Sequence, residues 1–133
     1  SKELYILVWL CFVITAFQMF LGTQVRESID ALTRLGIGRE QWAEYLALPF
    51  FIHRSFSWLV LGLLAYLAYK NERESKHKII RWLFLILAIE LLSGVLLAHI
   101  DMIGLIQNAH LLFASILFGI LFMMVFRTKL LSQ

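Results

Sequence analysis

"HRSFSWLVLG", residues 53–62, returns as "HLLFASILFG" at residues 110–119. Histidine, phenylalanine, a small residue and glycine recur at a constant offset of 57. Phe, Gly and Ser coincide by chance in many apolar sequences, so the histidine pair, His53 and His110, carries the comparison. A weaker echo joins Gln18-x-x-x-Gly22 to Glu90-x-x-x-Gly94 at an offset of 72. The two offsets differ by 15, about the extra length of the connection that follows the first apolar run. A duplication of this kind describes two helical hairpins of the same topology, related by an axis along the membrane normal.

The rest of the chain is built for lipid. Of 133 residues, 61% are hydrophobic and 16% charged, with one proline. Apolar runs cover Leu4–Gly22, Leu48–Tyr69, Ile79–Ala98 and Met102–Phe126, each within the roughly 17–25 residues that cross a bilayer. The expected fold is all-α: a polytopic transmembrane four-helix bundle made of two similar hairpins, with an amphipathic outer loop after the first span. Residues 1–133 are read as one such domain. The first run is too long, and too lightly charged at its front, for a cleaved signal peptide. Ser1-Lys2-Glu3 lacks an initiator Met, as in a processed or partial chain. Cys11 stands alone, which excludes a disulfide within the chain and a cysteine metal cluster.

Basic residues set the orientation. The second connection holds Lys70, Arg73, Lys76, Lys78 and Arg81 against Glu72 and Glu74, a balance of +3. The tail adds Arg127 and Lys129. The first connection, Thr23–Ala47, sets Arg26, Arg34 and Arg39 against Glu27, Asp30, Glu40 and Glu44, a balance of −1. Positive-inside logic places both termini and the second connection in the cytoplasm. These charges are topology determinants, and nucleic acid is not an expected partner; membrane lipid is.

Depth ties the histidines together. Lys70 and Arg127 mark the inner ends of the second and fourth spans, each 17 residues from its histidine. At about 1.5 Å per residue, both imidazoles lie roughly 25 Å from that boundary, at one level in the outer leaflet. Imidazole is a good axial ligand for heme iron, and facing histidines from two helices of a bundle can hold one iron between them. His53 and His110 are therefore the expected metal ligands of a bis-histidine heme b. Residues three and four further on share each histidine's face: Phe56 and Ser57, Phe113 and Ala114. Phe56 and Phe113 are expected to pack on the porphyrin while the small neighbours leave it room. Gly62 and Gly119 are read either as cofactor contacts or as points of close helix approach. Arg54 points about 100° away from His53, toward a propionate or toward lipid headgroups. Zinc, or iron without porphyrin, would want carboxylate or cysteine companions at this level. The bland alternative makes both histidines interfacial residues bonded to loops or water.

Other polar residues are weighed the same way. His77, in the basic connection, is expected to be solvated. His99 lies 18 residues from Arg81, at a depth similar to the pair's, with Asp101 close behind; a propionate donor and a rival ligand stay open beside the favoured reading, a rim residue. Glu90 falls near mid-membrane, where a charge is expensive. A proton or quinone role and a neutral acid bonded to a neighbouring helix both stay open, and Gln18 at the equivalent place fits the second. In the first connection Ile29, Leu32, Leu35, Trp42 and Tyr45 form an apolar face opposite Arg26, Asp30, Arg34 and Glu44, suited to lie on membrane as a lid. Arg26 is the expected propionate partner there, since a guanidinium matches a carboxylate bidentately.

"LGTQVRESID" (21–30), "HRSFS" (53–57) and "QNAHLLFAS" (107–115) resemble the carboxy-terminal half of heme A synthases. That family has eight transmembrane helices in two similar four-helix halves and oxidises a methyl group of heme O to the formyl group of heme A. The resemblance implies that one half holds this substrate while the other holds a b-type heme through a histidine pair, matched here by His53 and His110. The substrate half carries a glutamate three residues before its second-helix histidine; Phe50 stands at that place. That half's paired outer cysteines are missing too. The chain thus resembles the cofactor half, in a plasma membrane of bacterial type, with heme O and heme A as substrate and product of the complete enzyme. A second four-helix half, or a second copy, is the implied partner, and catalysis by this chain alone stays open. Two other functions remain beside it: a stand-alone b-type cytochrome taking electrons from quinol, and a cofactor-free assembly subunit.

Overall fold

A computed structural model describes residues 2–46, 48–74, 76–100 and 104–131. Asp101 and the Lys129 side chain, both used above, lie outside the described residues. Four long helices dominate: α1 (Lys2–Arg34), α3 (Leu48–Glu74), α4 (Lys78–His99) and α5 (Gly104–Leu131), with a 3-10 turn at Arg39–Gln41 and the short α2 (Trp42–Tyr45) after α1. All four are long and apolar enough to span a membrane, and among the described residues there is no strand. The expected runs are recovered, with Pro49 accommodated in the first turn of α3, where its missing N–H costs nothing.

One boundary differs from the sequence reading. The first span runs on as helix through Arg34, so 23–34 is not loop. Its 33 residues measure about 50 Å, well beyond the roughly 30 Å hydrocarbon core. The stop is a Schellman motif: the Gly36 N–H bonds the Thr33 carbonyl at 3.0 Å and the Ile37 N–H bonds that of Leu32 at 3.1 Å. Gly36 takes φ +73°, a conformation glycine adopts without penalty.

The helices stand in a square. α1 packs against α3 and α5, and α4 against α5 and α3, while the diagonal pairs α1–α4 and α3–α5 do not meet among the described residues. Apolar packing is concentrated at one end. Leu4, Leu7, Val8, Cys11 and Ile14 of α1 meet Val60, Leu64 and Leu67 of α3, Ile80, Leu83 and Leu87 of α4, and the stretch of α5 from Leu117 to Val125. Helix–helix packing in lipid rests on such close contact. At this end Lys70 pairs with Glu3 of α1 and with Glu74, and Arg81 of α4 makes two hydrogen bonds to Glu72 of α3, at 2.6 and 2.8 Å. Asn71, fully buried, donates to the His77 carbonyl at 3.1 Å and accepts from the His77 N–H at 2.9 Å. That exchange locks the α3–α4 turn.

The opposite end is built differently. From 48 to 59 on α3 and from 104 to 116 on α5 no residue is buried. His53 and His110 fall within these two stretches, on the diagonal helices.

Candidate functional site

Each histidine is seated by a glycine of its own hairpin. A Cβ built on Gly22 of α1 would lie 3.3 Å from Cε1 of His53, and one built on Gly94 of α4 would lie 3.2 Å from Cε1 of His110. These glycines close the Gln18 and Glu90 echoes, so the weaker repeat supplies the seats for the stronger one. Absence of a side chain lets the neighbouring ring come against the helix backbone.

Polar partners distinguish the hairpins. In the second, the Ser93 hydroxyl donates to the Glu90 carbonyl at 2.8 Å, and its oxygen stands 2.9 Å from Nδ1 of His110. A hydroxyl has one proton. With it committed to Glu90, Ser93 can only accept, so Nδ1 of His110 carries the hydrogen and Nε2 presents a bare lone pair. Oε1 of Glu90, 3.2 Å from the same Nδ1, reinforces that tautomer. In the first hairpin the Gln18 amide donates to the His53 carbonyl at 3.0 Å. Nδ1 of His53 is buried without completing a hydrogen bond, as is Oε1 of Gln18. The Glu90 carboxyl lies against the neighbouring helix, 3.2 Å from His110, and the Gln18 amide bonds the helix beside it.

The remaining expected residues divide. Arg54 is exposed, in keeping with its direction away from His53. Phe56 is half-buried, its ring edge-on to Phe17 of α1 at 5.2 Å; Phe113 is also half-buried. Arg26 lies within α1 and bonds Asp30 one turn on, at 2.9 Å on the exposed face, rather than in a loop over the site. Gly62 and Gly119 are not points of close approach, since a Cβ on either would meet nothing within 4 Å. His99 is the exposed last residue of α4, a rim position as expected, but not level with the pair. His110 meets Glu90, Ser93 and Gly94, and even Gly94 lies five residues below His99, about 7.5 Å along the helix.

Two residues with roles at this end were missed. Ser93 sits one turn after Glu90, on the same face, a spacing that could have singled it out. Arg39 had no local signal. Its Nη2 donates to the Leu97 carbonyl at 2.8 Å, one of the four carbonyls left open at the end of α4, and its guanidinium lies 5.5 Å from the Trp42 ring. The chain between α1 and α3 is thereby tied to the diagonally opposite helix, so it crosses the histidine end of the square. Ile29 and Leu32 are buried at its root, while Leu35 and Tyr45 are exposed.

Fold and site together define a polytopic membrane protein carrying one glycine-seated histidine in each of two repeated hairpins. Residues 1–122 match the family described as cytochrome oxidase assembly protein, and the chain belongs to that family, the heme A synthases, which are oxidoreductases. Comparison with curated proteins and with solved structures finds no significant match.

Proposed function

We propose that His53 and His110 are the axial ligands of a heme b, and that the chain serves heme O to heme A conversion as the electron-transferring half of a heme A synthase. The observation that carries this reading is the repeated seat. Two imidazoles, each so near a glycine that a Cβ added there would lie 3.3 or 3.2 Å from its Cε1, stand on diagonal helices whose backbones stay apart, in stretches where neither helix buries a residue. The donor set fits the group. Among the described residues no cluster of three or more His, Cys, Asp or Glu forms, and a pair of imidazoles suits an iron that brings four equatorial nitrogens of its own.

When bound there, heme b supplies one-electron transfer at a potential set by its ligands and surroundings. The protein's part is positional. Gly22 and Gly94 set how close each ring approaches the helix beside it. Ser93 and Glu90 hold the His110 ring in the tautomer that leaves Nε2 available, as second-sphere partners of ligating histidines commonly do. The segment tied down by Arg39 covers the histidine end against water. Arg54, exposed one residue beyond His53, is the cation available to a propionate; Arg26 is committed to Asp30. The termini lie on the cytoplasmic side, which puts the histidines in the outer leaflet, and a second four-helix half or a second copy provides the substrate site.

A reduced-minus-oxidised visible spectrum of the purified protein tests the cofactor. Paired b-type bands are expected; their absence after growth with ample heme refutes the assignment. Co-expression with a heme O source, followed by pigment extraction, tests the reaction: heme A that accumulates regardless of this chain refutes the synthase role.

A further inference from the structure

The two hairpins repeat one another, yet a side-chain hydrogen bond to the ring occurs in only one. His110 has Ser93 and Glu90 on its Nδ1, at 2.9 and 3.2 Å. At the repeat offset of 72, Glu90 corresponds to Gln18 and Ser93 to Leu21. Leu21 is buried and apolar, and offers His53 no acceptor. One N–H of the Gln18 amide goes to the His53 carbonyl, and the amide oxygen and Nδ1 of His53 are both buried without a completed hydrogen bond. Contact with glycine is nearly the same in the two hairpins, so the asymmetry lies in polar anchoring.

We infer that the two histidines are unequal ligands: His110, fixed by Ser93 and Glu90, anchors the heme, whereas His53 is displaceable and opens one face of the iron to a small neutral ligand such as carbon monoxide or imidazole. The inference rests on the bis-histidine reading. Exchange breaks the iron bond to Nε2 of His53 and forms one to the incoming donor, with no change in electron count. An anchored ring re-forms its bond from a fixed orientation and tautomer. An unanchored ring must recover both, and an unpaired buried N–H gains by turning toward any acceptor.

The test compares His53→Ala, His110→Ala, Ser93→Ala and Ser93→Thr, each loaded with heme, by spin state, carbon monoxide binding and the rate of heme loss to excess apomyoglobin. His53→Ala should keep its heme as a high-spin species that binds carbon monoxide. His110→Ala should lose heme at least about tenfold faster than His53→Ala. Ser93→Ala should accelerate loss on the order of 10–100-fold, the range for removing such a partner, and Ser93→Thr, which keeps the hydroxyl, should restore retention. Equal loss from the two histidine variants, the reverse order, or a Ser93→Ala protein with native spin state and loss rate overturns the inequality while leaving two ligands in place. Native spectra and retention in both histidine variants overturn the ligand assignment itself.

Discussion

Gly94→Ala isolates the close approach on which the site depends. The added Cβ would stand 3.2 Å from Cε1 of His110, tighter than an ordinary contact, and the ring must retreat by a few tenths of an ångström. A shift of that size takes Nδ1 from 2.9 Å of Ser93 Oγ toward the limit of a hydrogen bond. Two effects on stability oppose each other. Alanine favours helix over glycine by about 0.8–1 kcal/mol, whereas forcing an extra carbon into a filled contact costs about 1–3 kcal/mol. The expected net effect is a loss of up to about 2 kcal/mol, with heme retention reduced about tenfold through the displaced ring. Gly119→Ala is the internal control, because its Cβ meets nothing within 4 Å; it should gain up to about 1 kcal/mol and leave the heme spectrum alone. Both are measured by thermal unfolding in detergent, followed by circular dichroism, and by heme transfer to apomyoglobin. If Gly94→Ala is stabilised as much as Gly119→Ala and holds heme like the parent, the ring does not rest on Gly94 and the reasoning fails.

Asn71→Ala should cost about 1–3 kcal/mol, since it removes both side-chain hydrogen bonds to the half-buried His77 backbone at the α3–α4 turn; an unchanged melting temperature contradicts this. His77→Ala should leave both stability and spectrum near the parent, because His77 meets Asn71 through its backbone, and a shifted heme band would refute that. Arg39→Ala should free the segment before α3 from the Leu97 carbonyl, seen as faster proteolysis between 35 and 46 with the four long helices intact. Cleavage at the parental rate would show that Arg39 does not hold the lid.

The four spans, the topology of two hairpins and the histidine pair were open to linear reading because each obeys a local rule. A bilayer imposes a fixed run length, and duplication leaves a fixed offset. Lid chemistry was legible only by halves: the apolar face of Ile29 and Leu32 showed, but not that the first helix would carry them past the bilayer before Gly36 stopped it. Arg26 was a reasonable propionate partner on sequence alone. As part of a helix it finds Asp30 one turn away, a local pairing that the assumption of a loop concealed.

What the order of residues determined was which side chains exist at which period: two imidazoles 57 apart, two glycines 72 apart, and enough apolar length for four crossings. What only packing decided was which of them meet. Gly22 and Gly94, not Gly62 and Gly119, receive the neighbouring helices' rings; Arg39 reaches a carbonyl 58 positions away; and Ser93 settles the tautomer of His110 while Leu21 leaves His53 unanchored. Periodicity fixes the face a residue occupies on its own helix, but the rotation and height of one helix against the next are set by the summed contacts of the whole square, and a hydrogen bond between helices depends on both.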